Sequence, residues 1–214
     1  YQESGATIVN RDECLKSKDV CLVVQIPPVK DIEKLSQKTI LIGVLNPYKN
    51  KDYFKILNDN KITSICMELI PRISRAQNMD VLSSQANLAG YRAVIESIYE
   101  YEKAVPMMMT AAGTVPAARV LIIGAGVAGL QAIATAKRLG AIVSATDVRL
   151  TAKEQVESLG GKFLSVEGSE DLETKAGYAK EAGEDFKKKQ AELLKNSIKN
   201  NDIVICTALI PGKK

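Results

Sequence analysis

The sequence contains neither histidine nor tryptophan, and only 5% of its 214 residues are aromatic. The lack of histidine excludes Ser–His and Cys–His catalysis and removes the commonest side-chain proton shuttle. The formal net charge is +4, but the basic residues are scattered apart from one short run at 187–189. A nucleic-acid surface needs clustered basic residues with stacking aromatics, so we expect no nucleic-acid partner.

Long apolar runs and patterned cysteines are also missing. No run reaches the ~18 apolar residues that predict a membrane-spanning helix, and the mean hydropathy is −0.04. The first residues, YQESGATIV, have neither the basic segment nor the apolar stretch of a signal peptide. The four cysteines show no CxxC spacing, which argues against a disulfide framework or a zinc site. We therefore expect no bound metal.

What the sequence does have is a regular alternation of apolar runs and helical stretches. In the first third, apolar runs predict strands over residues 20–26, 39–45 and 62–67, with a helix over 52–60. From about Gln77 the period becomes helical, and 88–103 is predicted as a long amphipathic helix. This alternation predicts an α/β fold with parallel sheets.

A second domain is predicted after the long helix and a linker at 107–116, with the boundary near 100–116. Its predicted strands cover 119–123, 141–146, 162–166 and 202–208, and its predicted helices cover 130–139, 151–159 and a charged stretch to about Lys199. The chain is thus predicted to hold two Rossmann-like domains, 1–103 and 104–214. A Rossmann sheet of six strands needs more chain, so we expect the second domain to lack its later strands.

The motif GAGVAG, Gly124 to Gly129, lies between a predicted buried strand and a predicted helix. In such a turn Gly124 permits the sharp bend, Gly126 lets the backbone approach a pyrophosphate, and Gly129 allows close helix–strand packing. Helix N-terminal amides then attract the anion. The motif predicts a dinucleotide phosphate cradle.

Asp147 directly follows the next predicted strand. Rossmann folds place a ribose-binding carboxylate about 20 residues after the glycines, which is close to this position. Such an acid bonds a free 2′-hydroxyl and repels a 2′-phosphate, which favours NAD over NADP. Arg149 favours NADP instead, because a nearby arginine accommodates a 2′-phosphate. The two residues leave the choice between the cofactors open.

A polar segment, RISRAQNMDVLSSQAN, precedes the long helix. On a continuous helix, Gln77, Asp80, Ser84 and Asn87 would share one face. Their amide, carboxylate and hydroxyl groups can bond a carboxamide or sugar hydroxyls. The row predicts either the wall of a nucleotide cleft or a solvated helix face.

Two long segments resemble the NAD-binding component of proton-translocating NAD(P) transhydrogenase. They are PRISRAQNMDVLSSQANLAGYRAV and RVLIIGAGVAGLQAIATAKRLGAIVSATDVRLTAKEQVESLGGKF, and GYAK and TALIPGK resemble the same component. The resemblance covers roughly Glu68 to the end, whereas residues 1–67 match only in outline. Because the family has further chain before GATIV, the resemblance implies that the first domain lacks its start. Alanine dehydrogenase shares the fold, but it uses a catalytic lysine and histidine, and this chain has no histidine.

The resemblance implies a set of site residues. Arg72, Gln77, Asp80 and Ser83 are expected to contact the nicotinamide half of the cofactor. The expected catalytic residues are Arg72, Gln77 and Asp80. Asp147 is expected on the adenosine ribose, and Tyr178 in a loop that closes over NAD(H). Further cofactor contacts are expected at neighbouring positions of these motifs: Val127, Ala128, Val148, Arg149, Ala208 and Leu209.

The resemblance also implies an activity, direct hydride transfer between NADH and an NADP(H) held by a partner component. Such a transfer needs orientation rather than acid–base chemistry, which suits a chain without histidine. The implied partners are the NADP-binding component, a proton-channel membrane domain and a second copy of the chain. The chain would then be the soluble part of a membrane complex in an inner mitochondrial, organellar or bacterial inner membrane. Two alternatives stay open, an alanine dehydrogenase-like amino-acid oxidoreductase and a non-catalytic NAD-binding module.

Overall fold

The computed structural model describes residues 1–166 and 184–208, without the side chains of residues 184 and 186. The chain divides into two compact units, Tyr1–Leu82 and Ser83–Lys214. This division groups most of the long helix with the second unit, whereas the sequence-based division keeps that helix with the first. The boundary near residues 100–116 stays a prediction.

The first unit is built on a three-stranded parallel sheet of order β1-β2-β3. Its strands are β1 (Val20–Gln25), β2 (Ile40–Val44) and β3 (Thr63–Cys66). Its helices are α1 (Arg11–Leu15), α2 (Val29–Ile32) and α3 (Lys51–Asp59), and 3-10 helices cover Gln2–Ser4, Met67–Leu69 and Ser74–Met79. The three predicted strands and the predicted helix are confirmed, while α1 and α2 are too short to show a period in the sequence.

The core of the first unit lies against one face of this sheet. Leu41 of β2, Ile32 of α2 and Leu57 of α3 are almost completely buried there. Successive strand residues point to opposite faces, so the neighbours of Leu41, Ile40 and Ile42, lie on the other face and are only partly buried. The alternation in the sequence of β2 therefore places one face of the sheet in the core.

The second unit begins with the long helix α4 (Val81–Tyr101) and contains a four-stranded parallel sheet. Its remaining elements are β4 (Met108–Thr110), β5 (Gly113–Val115), β6 (Arg119–Ile123), α5 (Val127–Arg138), β7 (Ile142–Thr146), α6 (Ala152–Ser158), β8 (Lys162–Phe163), α7 (Glu184–Lys199) and β9 (Ile203–Cys206). The sheet order is β8-β7-β6-β9, with every neighbouring pair parallel. This is the strand order of a Rossmann fold, with the reversal of strand order between β6 and β9, and the predicted fold class is confirmed.

The predicted linker over 107–116 is wrong, because β4 and β5 form an antiparallel hairpin there. Gly113, with φ +127°, supplies the turn conformation that L-residues rarely adopt. The Thr110 hydroxyl donates to the Gly113 carbonyl at 2.9 Å and accepts from the Ala112 N–H at 3.2 Å. The small alanines and the neighbouring methionines in this stretch did not indicate a hairpin in the sequence.

The predicted continuous helix from Gln77 is also wrong. Ser74–Met79 forms a 3-10 helix, and Asp80 has a non-helical backbone (φ −78°, ψ 83°) before α4 begins at Val81. Aspartate favours the position just before a helix, where a carboxylate oxygen can accept from the N–H groups of the first turn that have no intrahelical partner. Because the two helices are separate, Gln77, Asp80, Ser84 and Asn87 do not form one helical row.

The core of the second unit joins one face of its sheet to α5 and α4. Val120 and Ile122 of β6, Ile133 of α5 and Val94 of α4 are almost completely buried in one cluster. Within the described residues, no helix is both long enough and apolar enough to cross a membrane.

Candidate functional site

The glycine turn follows β6 at the point where the strand order reverses. Gly124 has φ +94°, a conformation that favours glycine. Its N–H donates to the Thr146 carbonyl at 2.8 Å, which ties the turn to the carboxyl end of β7. A Cβ on Gly124 would lie 2.8 Å from the Ala208 nitrogen, so both conformation and packing require glycine here.

The other two glycines of the motif differ from one another. A Cβ on Gly129 would overlap the Gly124 carbonyl oxygen, so Gly129 lets α5 pack directly on the turn. Gly126 has an ordinary φ of −77°, and a Cβ on it would meet no atom within 4 Å. Neither backbone strain nor packing within the described residues explains glycine at position 126.

The first turn of α5 starts at Val127, three residues earlier than the sequence-based prediction of Leu130. The N–H groups of Val127, Ala128 and Gly129 therefore belong to the first helical turn, where an α-helix leaves its amides without intrahelical partners. No described side chain caps this helix start. Such a turn attracts an anion through its amides and the helix dipole.

Thr207 contacts the glycine turn, although the sequence analysis assigned it no role. It follows β9, and its hydroxyl donates to the Gly124 carbonyl at 2.8 Å. Its N–H donates to the Ile123 carbonyl at 2.8 Å. Ala208, the next residue, is exposed beside Gly124, and its contact with a cofactor stays a prediction. Leu209 and Tyr178 lie outside the described residues.

Asp147 lies directly after β7, and its side chain is only 8% exposed. Its Oδ2 accepts from the Ala125 N–H at 2.7 Å, so the carboxylate is bonded to the glycine turn itself. Its Oδ1 accepts from the Arg149 N–H and from Arg149 Nε, each at 2.9 Å, and Arg149 Nη2 donates to Oδ2 at 3.0 Å. Val148, between the two residues, is partly buried.

The contacts of Asp147 decide its protonation. Burial alone would raise the pKa of this carboxyl, but the hydrogen bonds from Arg149 and from the Ala125 N–H outweigh burial and hold the pKa below its usual range. Asp147 is therefore a carboxylate at neutral pH. It presents a negative charge beside the uncapped start of α5.

Helix α4 packs against the same turn from the other side. A Cβ on Gly90 would overlap the Ala128 carbonyl oxygen, so the backbones of α4 and α5 are in direct contact there. Gly90 is buried, and Val94 one turn later is 1% exposed. Ser83, in the first turn of α4, is half-buried. The glycine turn is thus supported by β7, β9 and α4 together.

In the first unit, Arg72 and Asp80 lie at either end of the Ser74–Met79 helix and are paired, with Arg72 Nε 3.4 Å from Asp80 Oδ2. Ala76 is buried, which anchors the helix, while the Gln77 side chain is exposed. The Gln77 carbonyl accepts from the Asp80 N–H at 3.2 Å. Three predicted site residues are therefore held within one short segment.

Glu68, just after β3, is a further polar group to which the sequence analysis assigned no role. Its Oε1 accepts from the Leu45 N–H at 2.9 Å and from the Asn46 N–H, so it joins the carboxyl ends of β2 and β3. Asn46 has φ +51°, and the Asn50 amide donates to the Leu45 and Asn46 carbonyls. Only contacts between elements reveal this arrangement.

Comparison with known proteins decides the family. Residues 1–89 match the family model for the N-terminal domain of alanine dehydrogenase/PNT, and residues 93–214 match the model for its C-terminal domain. The chain belongs to the alanine dehydrogenase/PNT family. The resemblance found in the sequence is confirmed.

Within the alanine dehydrogenase/PNT family, the chain is similar to an NAD(P) transhydrogenase subunit alpha protein of Rhodospirillum rubrum, with 56% identity over 98% of this chain. It spans 57% of the length of that relative. The crystal structure of transhydrogenase from Sinorhizobium meliloti matches all of this chain with a TM-score of 0.85 and 49% identity, and 56% of that structure is covered.

The alanine dehydrogenase branch of the family is more distant. An L-alanine dehydrogenase structure matches 78% of this chain with a TM-score of 0.66 and 20% identity, covering 48% of that structure. A likeness at this identity supports the shared fold alone.

Proposed function

We propose that this chain is the NAD(H)-binding part of an NAD(P) transhydrogenase, an oxidoreductase that moves a hydride directly between NADH and NADP⁺. The similarity to transhydrogenase proteins over nearly the whole chain supports this function. The observation that carries it is the glycine at position 126, beside the uncapped start of α5.

Gly126 tests whether the chain fits a dinucleotide. Because its φ is ordinary and a Cβ would enter open space, a side chain there costs the described fold nothing. A pyrophosphate that lies against the backbone gives glycine at this position a purpose, since any side chain would stand in its way. The N–H groups of the first turn of α5 supply the matching attraction.

The residues that would hold NAD(H) fall into two groups. The adenosine and pyrophosphate half would be held by the glycine turn with Val127 and Ala128, by Asp147 on the ribose, and by flanking contacts from Val148, Arg149, Tyr178, Ala208 and Leu209. The nicotinamide half would be held by Arg72, Gln77, Asp80 and Ser83. These assignments are part of the proposal.

The chemistry explains why the chain needs no histidine. When bound, the reduced nicotinamide supplies the hydride. Transfer between two nicotinamides adds or removes no proton at a substrate hydroxyl or amine, so the residues of this chain bind, orient and exclude water. The ion pair of Arg72 with Asp80 orders the segment that carries Gln77, and orientation of the ring depends on such order.

The proposal includes the rest of the enzyme. NADP(H) would be bound by a partner component, proton translocation would occur in a membrane domain, and two copies of this chain would pair. This chain would be the part of the membrane complex outside the bilayer. The domain division at 1–103 and 104–214 belongs to the same proposal.

The test uses the polypeptide at its full natural length, mixed with an NADP-binding transhydrogenase component. We expect hydride transfer from NADH to thio-NADP⁺, followed by absorbance, that requires both components. As a matched reaction, the same polypeptide is given NADH with pyruvate and ammonium, and we expect no NADH oxidation. Oxidation in that mixture would establish an alanine dehydrogenase instead, and tight NADH binding without any transfer would leave a non-catalytic module.

A further inference from the structure

The part-buried ion pair after β7 combines two residues with opposite consequences for cofactor choice. Arg149 folds back on Asp147 with Nε 2.9 Å from Oδ1 and Nη2 3.0 Å from Oδ2. The two side chains are 18% and 8% exposed. A forked pair of this kind, shielded from water, is stronger and more specific in geometry than a surface pair.

In Rossmann folds a carboxylate at this position takes a free 2′-hydroxyl, whereas an arginine nearby accommodates a 2′-phosphate. This chain carries both groups within three residues. In the structure, two nitrogens of the guanidinium are engaged by the carboxylate. A 2′-phosphate would have to displace the carboxylate from the arginine and approach its negative charge.

We propose that Arg149 is a latent 2′-phosphate site that Asp147 masks, and that this pair sets the preference of the chain for NADH over NADPH. The inference rests on the proposed function, because it assumes that the adenosine ribose lies beside Asp147. It assigns cofactor discrimination to one ion pair rather than to the shape of the cleft.

The bond from the Ala125 N–H to Asp147 Oδ2 dictates which variants test the pair. In Asp147→Asn the amide oxygen can still accept that bond, so the charge is lost while the link to the glycine turn is kept. In Asp147→Ala both are lost. Arg149→Gln removes the cation and leaves the acid.

The experiment measures NADH and NADPH binding to the full-length polypeptide by calorimetry, with thermal unfolding as a check on folding. We expect the unaltered protein to prefer NADH. Asp147→Asn should weaken NADH binding and strengthen NADPH binding, each by about tenfold or more, as for loss or gain of a charge-assisted hydrogen bond. Arg149→Gln should still reject NADPH, and the double variant Asp147→Asn with Arg149→Gln should lose the gain in NADPH binding.

The outcomes separate the two proposals. Unchanged NADPH affinity in a folded Asp147→Asn variant overturns the masking, and a gain that persists in the double variant overturns the role of Arg149. If Asp147→Asn does not fold, Asp147→Ser makes the same comparison with a hydroxyl acceptor. Failure of the unaltered protein to bind NADH overturns the proposed function, and this inference with it.

Discussion

The Thr207 hydroxyl donates a hydrogen bond of 2.8 Å to the Gly124 carbonyl oxygen and so joins the end of β9 to the glycine turn after β6. We expect Thr207→Val to lower the free energy of unfolding by about 1–2 kcal/mol, because the carbonyl loses its partner while the side-chain volume is kept. Denaturant unfolding measures the loss. Thr207→Ser keeps the hydroxyl and is the control, and an unchanged free energy of unfolding in Thr207→Val would show that the hydroxyl contributes nothing.

The contrast between Gly126 and Gly129 gives a second prediction. Gly126→Ala should leave the free energy of unfolding nearly unchanged, since its Cβ meets nothing within 4 Å, yet weaken NADH binding by about 1–3 kcal/mol through overlap with the ligand. Gly129→Ala should instead destabilise the fold by about 1–3 kcal/mol, since its Cβ overlaps the Gly124 carbonyl. Thermal unfolding and NADH titration of both variants check this. Full NADH affinity in Gly126→Ala would remove the pyrophosphate from this turn.

The glycine turn and the parallel sheets could be predicted because their causes are local. An apolar run, a Gly-x-Gly turn and an alanine-rich helix each follow from neighbouring residues. The roles of Thr207 and Glu68 could not, because their bonds join residues 83 and 22–23 positions apart in the chain.

The errors in the sequence analysis have a similar origin. Helical spacing alone put Gln77 and Asp80 on one helix, but the backbone of Asp80 interrupts it. Nor could the sequence decide between Asp147 and Arg149 as competing determinants of the cofactor. The structure shows them as one ion pair.

The contact between α4 and α5 yields a third prediction, at Gly90. By helix propensity alone, Gly90→Ala would stabilise α4 by about 1 kcal/mol. We expect the reverse sign, a loss of about 1–3 kcal/mol, because the new Cβ overlaps the Ala128 carbonyl and pushes the helices apart. Gln85→Ala, at an exposed position of the same helix, is the control and should change the free energy of unfolding little. A stabilised Gly90→Ala variant would show that the two helices have room to move.

A fourth prediction concerns the pH dependence of the first unit. Asp31 is 1% exposed, and its Oδ2 accepts from Arg11 Nη2 at 2.5 Å. Hydrogen bonding to Arg11 holds the pKa of Asp31 below its usual range, although burial opposes this. The ion pair therefore stabilises the fold at pH values above the unfolded pKa of Asp31, about 3.9. This stabilisation is lost as the pH falls through the lower pKa that Asp31 has in the folded state.

Arg11→Ala should weaken this dependence. The hydrogen bond from Arg11 is the largest cause of the lowered pKa of Asp31, so without the guanidinium that pKa should rise toward its unfolded value. The variant should therefore be less stable than the unaltered protein at pH 7, and the difference should shrink as the pH falls. Urea unfolding between pH 3 and pH 7 measures the difference. Lys55→Gln, which removes an exposed pair with Asp52, should show no such change; parallel pH curves for Arg11→Ala and the unaltered protein would contradict the role of Arg11.

The last prediction separates orientation from binding at Gln77, whose side chain is exposed beside the paired Arg72 and Asp80. If its amide fixes the nicotinamide ring, Gln77→Ala should slow hydride transfer by more than about tenfold while NADH affinity changes less than about threefold, because a misoriented ring still binds. Single-turnover transfer from NADH to thio-NADP⁺ and NADH calorimetry give the two numbers. Asn78→Ala removes a neighbouring exposed amide on the same 3-10 helix and should alter neither. Equal losses of rate and affinity in Gln77→Ala would make this residue a simple binding contact, and no loss of either would place the nicotinamide elsewhere.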